Sequence, residues 1–287
     1  MRKIKYLYWW KDKPNVGDAS SKLIVEWMLG YKIEWASNHP WYIILRHFLS
    51  ILIRKRRLEF YSKPILPGIK VLYAVGSIID DIGSNAIIWG SGLGRTYSRI
   101  KGRPTIWAVR GYLTLANLPS SYDKSKIAIG DPAVLLPLIY PKKKMKPSFE
   151  VGLIPHFEDY DFIENKYGKK YKVLDIRTTD VTSFIDEILT CKYILSTAMH
   201  GIIISHSYGV PALWIRRLEM NVGDFKFSDY FSSVGIPDYQ GFSNIDDILE
   251  KVDIPSFFAK HKNKSRVNPD RLKEIQLNLI NSFNKEY

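Results

Sequence analysis

The sequence predicts an α/β protein built from two Rossmann-like βαβ domains that face one another across a cleft. Three observations carry that expectation. Short apolar runs repeatedly stop at glycine or a small polar residue, with helical stretches between them, as where Val71–Val75 meets Gly76-Ser77 and Ala86–Trp89 meets Gly90-Ser91-Gly92. Such runs read as parallel strands whose carboxyl ends open toward a ligand crevice. The segment Pro141-Lys142-Lys143-Lys144-Met145-Lys146-Pro147-Ser148 breaks the alternation, because two prolines around four lysines cannot continue a core element. A second series of strands and helices then starts at Phe149. The expected units are residues 1–140, 149–243 and a helical tail over 244–287.

In the first series Ile4–Trp10 is a strand and Ala19–Leu29 a helix, with apolar positions at Leu23, Val25–Trp27 and Met28. Between them lies Asn15-Val16-Gly17-Asp18-Ala19-Ser20, where Gly17 permits close backbone approach and Asp18 either caps the helix or meets a ligand hydroxyl. Ser77, Gly90 and Ser91 belong to two further open turns at the ends of their strands. Thr105–Val109 is a strand ending at Arg110-Gly111, followed by a helix over Tyr112–Leu118. The Arg110 guanidinium is a planar fork suited to phosphate or carboxylate, or equally to a structural salt bridge. Ile127–Ile129 leads into Gly130-Asp131-Pro132 and the apolar run Ala133–Leu138.

The second series contains strands at Phe149–Ile154 and Tyr171–Asp175 and a helix at Val181–Leu189. His156 follows the first of these strands. Tyr193–Ile215 is the most informative run. A short strand empties into Ser196 and Thr197, hydroxyl residues suited to capping a helix, and His200 falls in the first turn of that helix. Gly209-Val210-Pro211 ends it, and Ala212–Ile215 is the next buried strand. An imidazole beside the open N–H groups of a helix start can hold an anion and move a proton; its alternative is a polar residue satisfied within the fold. Helices follow at Ile245–Val252 and Arg271–Phe283, flanking an exposed basic segment, Lys260–Arg266.

The chain has 287 residues, 46% of them hydrophobic and 14% aromatic, which supports two real cores. A net charge of +13, from 42 Lys and Arg against 29 Asp and Glu, attracts phosphates, carboxylates, nucleic acid or anionic lipid without choosing among them. No nucleic-acid module accompanies that charge, so no nucleic-acid partner is expected. The single cysteine, Cys191, forms no intrachain disulfide, and Met1–Trp10 reads as a strand rather than a signal peptide; both fit a cytoplasmic protein. No residue spacing demands a metal ion, and neither a phosphate-binding Walker loop nor a serine elbow occurs. Trp41–Ile53 is nearly all apolar, is too short to span a bilayer, and runs into Arg54-Lys55-Arg56-Arg57. It reads either as a helix lying in the interface of an anionic membrane at its cytoplasmic face or as a core-facing helix with a basic end.

Taken together, Asn15-Val16-Gly17-Asp18, Gly76-Ser77-Ile78, Trp89-Gly90-Ser91-Gly92, Val109-Arg110-Gly111, Gly130-Asp131-Pro132-Ala133, Ile154-Pro155-His156, Met199-His200-Gly201 and Tyr208-Gly209-Val210-Pro211-Ala212 resemble the polysaccharide pyruvyltransferase family in order and spacing. Phe225-Lys226-Phe227-Ser228-Asp229-Tyr230 extends the resemblance, which covers about residues 5–240. It implies a glycosyltransferase-B-like fold with an acceptor side in the first domain and a donor side in the second. The implied reaction moves pyruvate from phosphoenolpyruvate to a pair of sugar hydroxyls as a ketal, on a polysaccharide precursor that is lipid-linked in one version, with no metal and no cofactor. By the same resemblance His200 is the general acid and Arg110 the donor-binding cation, with Lys226 as a second cation. The Ser196–Thr197 turn supplies hydrogen bonds, and Asp18 or His156 takes the sugar proton. Many members carry arginine where this chain has Ala198, so Arg216, Arg217 and Lys226 become candidates for the missing charge. A nucleotide-sugar glycosyltransferase and a non-catalytic polysaccharide-assembly protein are the alternatives.

Overall fold

The computed structural model describes residues 3–11, 13–36, 69–80, 82–96, 100, 102–216 and 224–284. The Trp41–Arg57 segment and Arg217 lie outside the described residues. Two sheets organise the rest. Strands β1 (Tyr6–Tyr8), β2 (Glu34–Trp35), β3 (Val71–Tyr73), β4 (Ala86–Trp89), β5 (Thr105–Val109) and β6 (Ala128–Ile129) form a sheet ordered β2-β1-β3-β4-β5-β6. Strands β7 (Phe149–Ile154), β8 (Lys172–Val173), β9 (Cys191–Ser196) and β10 (Ala212–Trp214) form a second, ordered β10-β9-β7-β8. Neighbouring strands pair in parallel throughout both sheets. The chain is therefore α/β with two Rossmann-like parallel-sheet units, as expected, and residues 141–148 connect them without strand or helix.

Five described helices reach nine residues or more: α1 (Val16–Leu29), α2 (Val181–Leu189), α3 (Met199–Ser207), α4 (Asp224–Val234) and α5 (Pro269–Ser282). The α1 helix begins at Val16 rather than Ala19 because Asn15 is its cap: Gly17 N–H donates to Asn15 Oδ1 at 2.9 Å. It ends at Gly30, whose φ of 78° lets its N–H reach back to Glu26 O. α3 is buried nearly all round, covering Met199 and every residue from Gly201 to Ser207. Its polar residues Ser205, His206 and Ser207 are hydrogen-bonded inside the protein, and α3 packs against the Pro132–Leu135 turn, β9, β10 and α2.

Both sheets share one continuous core that runs from Ile4, Leu7 and Val16 through Leu135 and Ile154 to Ile203, Phe231 and Leu279. The two units touch in the backbone as well, since Val16 N–H donates to Ile176 O at 3.0 Å. The last helix, α5, returns to the first sheet: Trp89 is fully buried and donates Nε1–H to Leu279 O at 3.0 Å. The strand β2 and the helices Tyr160–Tyr167, α4 and Ile254–Lys260 carry no clear signal in the sequence pattern. Among the described residues, no helix is long and apolar enough to cross a membrane.

Candidate functional site

In each sheet the strand order reverses once, between β1 and β3 in the first and between β7 and β9 in the second. Such reversal points leave a crevice at the carboxyl ends of the strands, because the connections leave in opposite directions. Here the two crevices meet. The loops after β1, β3, β7 and β9 line one cavity of about 330 Å³ with Trp10, Asn15, Asp18, Ser77, His156, Phe157, Ala198 and His200, and Lys226 closes it from the first turn of α4. Of the residues singled out from sequence, the fold brings Asn15, Asp18, Ser77, His156, His200 and Lys226 together there.

Asp18 does not cap α1, a role taken by Asn15. Its side chain lines the cavity, and the backbone N–H of Trp10 donates to its Oδ1 at 3.3 Å. Burial in protein raises its carboxyl to about 6 from an ordinary 3.8, an effect that nearby His200 and the backbone N–H groups partly offset. A carboxyl poised there exchanges protons readily near neutrality.

His200 sits in the first turn of α3 with its side chain 11% exposed. Gly17 explains how the two loops come so close: a Cβ at that position would collide with the His200 ring at Nδ1. On the inner side, His200 Nε2 faces Asp131 Oδ2 at 3.8 Å. Asp131 is fully buried, and its other oxygen caps the Pro132–Leu135 turn by accepting Ala133 N–H at 2.9 Å. His200 Nε2 and Asp131 Oδ2 are both buried with no hydrogen-bond partner. The sequence reading missed Asp131 as a site residue. Gly-Asp-Pro reads locally as a turn, which it also is.

Ala198 is the N-cap of α3 and lines the cavity. The expected Ser196–Thr197 cap is not formed. Ser196 is buried and folds onto its own turn, donating to Ile154 O and accepting Ala198 N–H at 3.0 Å. Thr197 Oγ1 accepts His156 N–H at 2.7 Å and so fixes the neighbouring loop. α3 has no side-chain cap, and Ala198, Met199 and His200 at its start line the cavity. His156 packs its ring on Phe157 with centroids 4.3 Å apart, and Trp10 approaches Phe157 at 5.6 Å, giving the cavity an aromatic wall.

Arg110 takes the structural alternative of its two readings. It is fully buried and outside the cavity, with Nε on Asp229 Oδ2 at 2.9 Å, Nη2 on Leu93 O at 2.7 Å and Nη1 on Ser77 Oγ at 2.6 Å. Gly92 lies directly beneath the guanidinium, where any Cβ would strike it. Asp229 is fully engaged too, accepting Thr114 N–H and Thr114 Oγ1–H at 2.7 Å each. Arg110 therefore reaches the cavity only through Ser77. Gly90 and Ser91 also serve the fold: Gly90 passes under Pro132, and buried Ser91 donates to Ala74 O at 2.8 Å. Arg216, a candidate to replace the charge absent at Ala198, pairs with Asp224 at 2.9 Å. Among the described residues no group of three or more His, Cys, Asp or Glu is arranged to hold a metal ion.

The family model for polysaccharide pyruvyl transferase matches residues 28–218, about two thirds of the chain. An uncharacterized protein of Acanthamoeba polyphaga mimivirus is 35% identical over 170 residues, which is 56% of this chain and 59% of that protein. The chain thus aligns with less than two thirds of that relative. The matched family region contains Ser77, Asp131, His156 and His200, whereas Asn15, Asp18 and Lys226 enter the same cavity from outside it.

Proposed function

The chain belongs to the polysaccharide pyruvyl transferase family, and from that premise we propose that it transfers pyruvate from phosphoenolpyruvate to two hydroxyls of a sugar, forming a cyclic ketal on a polysaccharide precursor. The observation that carries this reading is one cavity in which Asp18, raised to about 6, lies beside His200, with His156 and Lys226 on its wall. The donor carries phosphate and carboxylate, and the cations together with the uncapped start of α3 suit both.

The reaction proceeds in balanced steps. His200 gives a proton to the methylene carbon of the donor, which becomes a methyl group and leaves C2 electron-poor. A sugar hydroxyl oxygen bonds to C2, and its proton passes to Asp18. The C2–O bond to phosphate then breaks with its electron pair on the phosphate oxygen, and the second hydroxyl closes the ketal at C2. Of the two hydroxyl protons, one replaces the proton given by His200 and the other departs on phosphate. In this scheme Arg110 does not touch the donor. It orients Ser77, which offers the cavity a hydroxyl held in place by a charge-assisted bond.

Release of inorganic phosphate from phosphoenolpyruvate in the presence of a sugar acceptor, with a pyruvyl ketal found on the acceptor by mass spectrometry, is the expected result. Release of a nucleoside diphosphate from a sugar nucleotide, with no phosphate from phosphoenolpyruvate, would instead make the protein a glycosyltransferase. If the acceptor is lipid-linked, the Trp41–Arg57 segment gives the enzyme a means of meeting an anionic bilayer. Replacing Arg54, Lys55, Arg56 and Arg57 by glutamine is then expected to lower co-sedimentation with phosphatidylglycerol vesicles; unchanged binding removes the membrane from the proposal.

A further inference from the structure

We propose that Asp131 is the positioning residue for His200, fixing which ring nitrogen carries the proton that reaches the cavity. The inference rests on the reading of His200 as the proton donor, and it uses a feature which that reading leaves unexplained. Two complementary polar atoms, Asp131 Oδ2 and His200 Nε2, are buried and unpartnered, and they face each other at 3.8 Å. Buried polar atoms without partners are rare in folded proteins, and a facing pair of them calls for an explanation, of which a catalytic role is one. A separation slightly beyond hydrogen-bond reach is common for catalytic pairs without substrate, which tighten when it binds.

Turn capping does not account for the aspartate. Its Oδ1 alone accepts Ala133 N–H, and a serine or asparagine at that position would supply the same acceptor. The second carboxylate oxygen is aimed instead at α3, an element more than sixty residues downstream of it in the chain. The ring's orientation supplies the rest. With Nε2 sealed on the Asp131 side and Nδ1 against Gly17, next to Asp18, the nitrogen that can serve the cavity is Nδ1. An Nε2–H held by Asp131 leaves Nδ1 of the neutral ring as the acceptor that reloads from Asp18. It also steadies the imidazolium once the second proton arrives. This is the physical logic of a carboxylate–imidazole pair, in which the carboxylate orients the ring and never contacts substrate.

Asp131→Asn tests this because the amide oxygen keeps the Ala133 cap while the other position becomes an N–H₂ donor. Nitrogen-15 spectra of the His200 ring, recorded without substrate at a pH where it is neutral, are expected to show the proton on Nε2 in the native protein and on Nδ1 in the variant. With phosphoenolpyruvate and acceptor, kcat is expected to fall about 100-fold or more while the donor KM stays within a few-fold. In a His200→Ala background the same substitution should have no further effect on rate. Asp131→Ser, which retains a cap but has no second oxygen, should likewise lose the Nε2–H form. An unchanged tautomer in both variants overturns the proposal, as does a kcat within twofold of native. Because the spectra need no substrate, a tautomer switch with no pyruvyl transfer in the native protein would preserve the pairing and reject only the reaction.

Discussion

Two buried charge networks lie close together in this molecule, and their bonding differs completely. Around Arg110 and Asp229 every assigned bond is short: the guanidinium reaches Asp229, Leu93 O and Ser77, and the carboxylate accepts both donors of Thr114. Around His200 the reverse holds, with a nitrogen and a carboxylate oxygen facing each other unbonded and a neighbouring carboxyl raised to about 6. A saturated network holds a structure, because removing any member strands the others without water. An incompletely satisfied one destabilises the fold and is retained where groups must change partner or charge during work. The difference separates two equally conspicuous motif residues. Arg110 braces the first sheet's end against α4, and His200 lines the cavity.

The largest stability effect belongs to Arg110. Arg110→Met leaves Asp229 as a buried charge without its cation, and urea unfolding should show a loss of about 3–5 kcal/mol. A loss below about 1 kcal/mol would mean that the network is not the brace described. Next comes Asp18, with the opposite sign. Its folded carboxyl lies near 6 rather than 3.8, so its stabilising contribution is complete below about 4 and is lost as pH rises through 6. Asp18→Asn removes that loss and should raise stability at pH 8 by about 3 kcal/mol. The gain should shrink between pH 6 and pH 4, while pyruvyl transfer is abolished. Ser77→Ala is the smallest and the most diagnostic, since Ser77 belongs to both regions. Losing the acceptor for Arg110 Nη1 should cost about 2 kcal/mol in unfolding experiments. If Ser77 also meets the donor, the KM for phosphoenolpyruvate should rise severalfold, and a stability change alone would assign it to the brace.

The sequence makes the architecture readable wherever an apolar run ends at glycine or a polar residue, which is how β3, β4, β5, β7 and β9 announce themselves. It is least informative for short edge strands such as β2, at two residues, where no period can develop. The helix α4 hides for another reason. Its buried face of Phe227, Tyr230, Phe231 and Val234 is interrupted by Asp229, a buried charge that spoils the apolar pattern and has a partner 119 residues upstream. The same distance explains Arg110: a residue's neighbours in sequence do not reveal whether its cation will turn inward to an acid on another element. At the site, His200, Asp18, His156 and Lys226 could be picked out as chemistry-bearing types, whereas Asp131 could not. Within the sequence its Gly-Asp-Pro setting reads as a turn cap, and only the fold reveals the second oxygen. The Ser196–Thr197 cap is not formed because Ser196 ends β9 and its Oγ accepts Ala198 N–H, while Thr197 Oγ1 accepts His156 N–H, so both oxygens serve N–H groups outside the helix.

The bond from Trp89 to the end of α5 spans 190 residues, and Ile275 and Leu279 lie against Gly130 beside β6. One flank of the first sheet is therefore finished by a segment translated long after the sheet itself has left the ribosome. During synthesis, the apolar ground around Trp89 stays uncovered until α5 emerges, and the intervening four-stranded unit has time to form first. Assembly of the earlier half is thus completed only by α5, after the four-stranded unit has been made.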